Sequence, residues 1–260
     1  MSFVLTVVAF LLGICVGSFL NVCIYRIPEG ISVVTPRSQC GYCHRTLKPY
    51  DMIPVLSYFL LGGKCRFCSA AFSVRYALIE LLTGLLYVAC FLKFGYTGTT
   101  FILFAFIALM IVVFFIDLDH MIIPNQLVLV GLILGGLVTL YQFFFSYAVY
   151  ESPSYLNTLL GMIAGGGVMF AIAEISAFFY RGSSGLGFGD VKIFLVIGLF
   201  LGWRLTLLAL WLSFVFGGVL GILLIVVLKK DRKMAIPFGP FIVIGTLVSL
   251  FFGGNITSFM

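Results

Sequence analysis

Asp117 and Asp190 are the two carboxylates of this 260-residue chain best placed for acid–base chemistry. Asp117 ends an apolar run, in Phe115-Ile116-Asp117-Leu118-Asp119-His120-Met121-Ile122-Ile123-Pro124-Asn125, and Asp190 opens another, in Gly185-Leu186-Gly187-Phe188-Gly189-Asp190-Val191-Lys192. Two carboxylates meeting at one membrane boundary can share a proton, one activating water while the other protonates the leaving group. Asp190 stands at a helix start, where the dipole suits a base, and Asp117 near a helix end, where it suits an acid. Gly187 and Gly189 flank Phe188 just ahead of Asp190, and glycine permits close backbone approach and unusual dihedrals, which suits a substrate strand passing the carboxylate. If the acids did no chemistry, Lys192 and Arg181 would balance them at the interface. A rival chemistry uses Asp117 and Asp119 together on Mg²⁺, as in a lipid-carrier phosphoryl or glycosyl transferase. No second acidic cluster or basic diphosphate clamp accompanies that pair.

Four cysteines form a second constellation, Cys40-Gly41-Tyr42-Cys43 and Cys65-Arg66-Phe67-Cys68. Two C-x-x-C knuckles separated by 21 residues let four thiolates converge on one tetrahedral ion, and zinc is the expected metal. Four thiolates leave no open coordination position, so the expected role is structural. The alternative is two disulfides. His44 adjoins Cys43, but a fifth ligand is unnecessary. Cys15, Cys23 and Cys90 lie in apolar runs, where a thiol packs as a small hydrophobe.

The elements that hold these groups are membrane helices. The chain is 62% hydrophobic and 9% charged, more apolar surface than a soluble fold of this size can hide. Its apolar runs are unbroken rather than alternating, so the spans are helices and not barrel strands. The expectation is an all-α polytopic membrane protein with about eight spans, near 3–25, 73–93, 99–117, 124–146, 156–180, 191–202, 205–228 and 237–254. Trp203-Arg204 barely separates the sixth from the seventh, so one broken helix is the alternative there. The first run is read as a retained helix, with no basic residues ahead of it and no small-x-small cleavage site after it.

With the 26–72 loop inside, Arg26, Arg37, Arg45, Lys48, Lys64, Arg66, Arg75, Arg181, Lys192, Lys229, Lys230, Arg232 and Lys233 fall on the inner face, 13 of the 15 cations. That bias sets the N-terminus outside and the four-Cys loop in the cytoplasm, where thiols stay reduced and disulfides are disfavoured. It also accounts for the net charge of +6 without nucleic acid as a partner. Glu80, about two turns into the second span with Arg75 nearby, and Glu174, in the middle of the fifth, are the other awkward acids. The glycines at 161, 165, 166 and 167, and at 217, 218 and 221, read as close helix packing.

Taken together, several segments carry a family resemblance: Gly17-Ser18-Phe19-Leu20-Asn21-Val22 with Arg26 and Pro28; the four cysteines with the run from Asp51 to Ser57 between them; Tyr76 and Glu80-Leu81-Leu82-Thr83-Gly84; Asp117 to Asn125; and Gly187-Phe188-Gly189-Asp190-Val191-Lys192. Over nearly its whole length the chain resembles the type IV prepilin peptidases, bacterial membrane aspartyl proteases of the GxGD class. The resemblance implies removal of the leader from prepilins or pilin-like (pseudopilin, competence) proteins at the cytoplasmic face of the bacterial inner membrane. It implies N-methylation of the new terminal residue with S-adenosylmethionine. It places the catalytic aspartates at Asp117 and Asp190, with Asp119 the alternative to the first. Asp117 is preferred because shorter relatives keep an Asp seven residues before the proline. Gly187, Gly189, Asp119 and Lys192 become supporting residues. The resemblance divides the chain into a methylation-associated N-terminal region at residues 1–98, with the zinc module at 26–72, and a protease bundle at residues 99–260.

Overall fold

In the computed structural model the described residues are 2–145, 147, 149, 155–179, 187–226 and 236–257. They form α1 (Ser2–Arg26), a 3-10 turn (Pro49–Met52), α2 (Leu56–Leu60), α3 (Arg75–Phe94), α4 (Gly98–His120), α5 (Asn125–Phe144), α6 (Tyr155–Phe179), α7 (Phe188–Val226) and α8 (Gly239–Thr257). No strand occurs among the described residues, only the isolated bridges Gln39–Thr46 and Lys64–Ala71. Six helices are long and apolar enough to cross a membrane, and Gly239–Gly254 is a shorter apolar helix. Apolar side chains point outward as well as inward. On α5, Leu129, Val130, Ile133, Leu137 and Leu140 are exposed while Leu127, Val128 and Val138 are buried. A helix apolar all round needs lipid on its outer face, and the protein is a multi-pass membrane protein.

The chain divides into two compact units, Met1–Val112 and Val113–Met260. In the first, α1 and α3 cross at contact distance because glycine faces glycine. A Cβ on Gly13 would lie 2.7 Å from the Gly84 Cα, and one on Gly17 would lie 2.7 Å from the Glu80 Cα. Tyr87 on α3 stacks on Phe104 of α4 at 4.0 Å and donates its hydroxyl to the Phe104 carbonyl. Between α1 and α3 runs the loop that carries the cysteines.

In the second unit, α7 is two helices joined at Gly202, whose backbone is non-helical (φ 69°, ψ 174°). The break is a reversal. A Cβ on Gly165 of α6 would lie 2.6 Å from the Phe194 carbonyl oxygen and 2.7 Å from the Thr206 Cγ2. Twelve residues of straight helix would separate those positions by about 18 Å. The segments 188–201 and 203–226 therefore run side by side, which is the two-helix alternative to one broken rod. Small residues hold the packing together. Gly161 meets Gly198 and Gly202 backbone to backbone, Gly135 seats Leu199, and Gly245 of α8 seats Ser213. Arg181, Lys229, Lys230, Arg232 and Lys233 lie outside the described residues.

Candidate functional site

Asp117 lies one turn before the C-terminal end of α4, and Asp190 is the third residue of α7. Both are buried, at 5% and 7% exposure, although carboxylates are rarely buried without a reason. The segment that follows Asp117 meets the start of α7, where Ile123 lies against Gly189 and Asn125 accepts from Lys192. Asp119, two residues on, is exposed on another face of α4, whereas Asp117 is buried.

Each aspartate is bonded to backbone, Asp117 through its carboxylate and Asp190 through its own N–H. The Gly239 N–H donates to Asp117 Oδ2 at 2.7 Å, while the Asp190 N–H donates to the Gly187 carbonyl at 3.0 Å and opens α7. Gly239 is the first residue of α8, so Asp117 faces a helix N-terminus and accepts its first N–H. This removes the asymmetry behind the expected split of roles, in which Asp190 alone met a helix start. Gly239 is the residue that sequence reasoning missed. Its signal was Gly239-Pro240, a proline just inside a helix start, where a helix N-terminus can hold an anion.

The two glycines before Asp190 serve space rather than dihedral freedom. Neither has a positive φ. A Cβ on Gly189 would press to 3.1 Å of the Ile123 Cβ, and one on Gly187 would stand 3.4 Å from Asp190 Oδ2. The backbone thus passes close to the carboxylate and to the Ile123-Pro124 turn. Lys192 turns away from a simple counter-ion role. Its ammonium donates to Asn125 Oδ1 at 2.8 Å and sits 5.2 Å from the centre of the Phe188 ring. It ties the start of α7 to the start of α5. The other balancing cation, Arg181, and the residues Gly185 and Leu186 lie outside the described residues.

The four cysteines of the loop form one cluster, all sulfur atoms within 4.8 Å of one another. Each half is built alike. Cys40 N–H donates to the Arg45 carbonyl and Cys65 N–H to the Ala70 carbonyl, while His44 and Ser69 N–H groups donate back to Cys40 and Cys65. His44 and Ser69 occupy the equivalent left-handed position (φ 54° and 58°), so His44 serves the turn and is exposed. The Cys40–Cys68 sulfur separation is 3.8 Å. A tetrahedral ion with metal–sulfur bonds of about 2.3 Å requires sulfur–sulfur edges of about 3.8 Å, so the donor set fits such an ion. Backbone N–H groups of Cys43 and Tyr42 aimed at the Cys40 sulfur pull its pKa down to about 6, favouring the thiolate that binds metal. Cys65→Ser is expected to lose the metal and open the loop to proteolysis. Cys90→Ser, buried in α3, should keep both metal and protection. Metal analysis with limited proteolysis checks this.

Glu80 is buried in α3 and bonded away from Arg75. Its Oε2 accepts the Val55 N–H at 2.7 Å, and the Ser18 hydroxyl also bonds it. Val55 has a left-handed backbone (φ 63°) without being glycine, a strained conformation that this bond helps to hold. Glu174 is exposed on α6.

Similarity to known proteins runs along both units. A model described as the Bacterial Peptidase A24 N-terminal domain matches residues 11–94, and one described as the Type IV leader peptidase family matches residues 104–222. Among curated proteins, a Bacillus subtilis protein described as prepilin leader peptidase/N-methyltransferase is 33% identical over 254 residues, covering 97% of this chain and 96% of its own length. An Aeromonas hydrophila protein of the same description is 33% identical, covering 95% of this chain and 91% of its own. A third, from Pseudomonas aeruginosa, is 31% identical and covers 99% and 93%. No solved structure matches the chain. Two buried aspartates at helix boundaries, a four-thiol cluster able to hold a metal and similarity spanning nearly every residue converge, and the chain belongs to the type IV leader peptidase family.

Proposed function

We propose that this protein cleaves the leader from type IV prepilins or pilin-like proteins by aspartyl proteolysis and then N-methylates the new N-terminal residue. The observation that carries the proteolytic half is the burial of both Asp117 and Asp190 in a chain of this family. The named relatives span the whole chain and carry both activities in their descriptions.

The chemistry follows from the geometry. A peptide carbonyl drawn between the two carboxylates meets water activated by one of them. The other gives its proton to the departing amine, and the shared proton resets between turnovers. The Gly239 N–H holds one oxygen of Asp117, leaving Oδ1 for substrate and water. Gly187 and Gly189 leave room for the substrate backbone, and Lys192 with Asn125 fixes the start of the helix that carries Asp190. Asp117 is buried while Asp119 is exposed on another face of α4, which disfavours a shared Mg²⁺ and with it the transferase reading.

Zinc is the metal we assign to Cys40, Cys43, Cys65 and Cys68, in a bracing role. We place S-adenosylmethionine, the methyl donor this second step calls for, with residues 1–98, and the protease with residues 99–260. The charge bias along the chain supports an N-terminus outside, the thiol loop and the acid pair at the cytoplasmic face of the bacterial inner membrane, and eight crossings when both halves of α7 and α8 are counted.

Co-expression with a prepilin followed by mass spectrometry tests the proposal. The expected product lacks the leader and carries the mass of one added CH₂. An intact leader would refute proteolysis, and leader loss without the added CH₂ would refute methylation alone.

A further inference from the structure

The loop between α1 and α3 exposes apolar side chains that no packing in the protein explains. On the single turn of α2, Ser57 points inward and donates to the Tyr50 carbonyl at 3.0 Å. Leu56, Phe59 and Leu60 point outward together, at 59%, 72% and 82% exposure, and Met52 and Ile53 extend the same apolar stretch. The spacing i, i+3, i+4 places the three on one face. An apolar face of this kind on a soluble loop would be a liability.

Its position in the fold says what covers it. The Val55 N–H, at the mouth of α2, is bonded to Glu80 of α3. Glu80 stands five residues beyond Arg75, the first residue of that membrane helix, which is about 7 Å along its axis. The bond therefore holds the start of α2 below the charged end of α3, at the depth where hydrocarbon gives way to headgroups. Both ends of the loop are fixed at the membrane, since α1 and α3 are spanning helices.

The loop that carries the apolar face is basic. Between residues 30 and 75 the chain carries Arg37, Arg45, Lys48, Lys64, Arg66 and Arg75 against one acid, Asp51. That acid is engaged by Arg66 at 2.7 Å. Lys48 and Arg66 lie over the Tyr50 ring, at 5.5 and 5.1 Å from its centre, so the cations gather at one aromatic platform. Apolar side chains framed by cations and a tyrosine are the chemistry of an interfacial segment on an anionic bilayer.

We infer that α2 is an interfacial anchor: Leu56, Phe59 and Leu60 enter the bilayer surface while Lys48, Lys64 and their neighbours contact anionic lipid headgroups, docking the metal-binding loop onto the membrane. The inference rests on the membrane fold and the loop geometry and is independent of the proteolytic reading.

The test places a reporter in the anchor. Phe59→Trp is made in a Trp203→Phe/Trp211→Phe background and the full chain is reconstituted in vesicles of phosphatidylcholine with one quarter phosphatidylglycerol. Retained metal content shows that the loop is intact. The expected result is loss of most emission when the acyl chains are brominated, with little quenching by iodide in the water phase. Adding Lys48→Gln and Lys64→Gln, or omitting phosphatidylglycerol, should raise the iodide-quenched fraction. Quenching by iodide and not by bromolipid would overturn the docking. Protection from both quenchers would place protein over α2 and overturn it equally. Bromolipid quenching indifferent to phosphatidylglycerol and to the two Gln changes would refute the headgroup contacts.

Discussion

Asp117→Asn and Asp190→Asn are each expected to abolish leader removal while the protein remains folded, inserted and able to bind metal. The expected loss is at least about a thousandfold, because each variant removes one of the two groups that trade protons with water and the leaving amine. Folding should survive for reasons visible in the site. Asn at 117 keeps an oxygen to accept the Gly239 N–H, and Asn at 190 keeps the backbone N–H that bonds Gly187. Asn in place of Asp also removes a buried ionisable group, so stability should not fall. Asp119→Asn supplies the contrast. Asp119 is exposed and stands outside the pair, so its variant should cleave at close to the parent rate. A gel-shift or mass assay of co-expressed prepilin reads all three. Cleavage by both single variants at 117 and 190 would end the aspartyl mechanism. Loss of cleavage in Asp119→Asn with retention in Asp117→Asn would move the first acid by two residues.

The acids were legible in the sequence because an ionisable residue at the edge of an apolar run is costly and therefore conspicuous. The four cysteines were legible because two C-x-x-C pairs at this separation are the spacing of a tetrahedral thiolate site. Contacts distant in sequence were not. The bond from Gly239 to Asp117 joins residues 122 apart, and nothing in either segment names the other. Glu80 has a cation one turn away in Arg75, yet its partner is the backbone of Val55, delivered by a loop 25 residues earlier. The reversal at Gly202 was half legible. Trp203-Arg204 is too short a polar break to separate a kink from a hairpin, and only the shared contacts of Gly165 decide it. The division of roles between the two acids rested on the sequence-readable helix ends alone. Helix ends can be read from sequence, but which helix start is packed against which side chain cannot.

Gly239→Ala should cut cleavage by about a hundredfold without unfolding the protein. A Cβ at this position would lie 2.6 Å from Asp117 Oδ2, 2.7 Å from its Cγ and 2.8 Å from its Cβ. These distances are too short for any carbon contact, so either the carboxylate turns away or the start of α8 retreats. The N–H donor survives the substitution, so the loss comes from displacement and not from a missing hydrogen bond. A displacement of order 1 Å in a reacting group costs about two orders of magnitude in rate, because water and carbonyl must meet both carboxylates at once. The effect should fall on kcat, since the substitution displaces a reacting group. Gly254→Ala, farther along the same helix with open space where its Cβ would stand, is the matched control and should cleave like the parent. Metal content should be unchanged in both, since the thiol cluster lies in the other unit. If Gly239→Ala cleaves at the parent rate with an unaltered KM, Asp117 does not need its place at the start of α8, and the role given to that helix N-terminus is wrong.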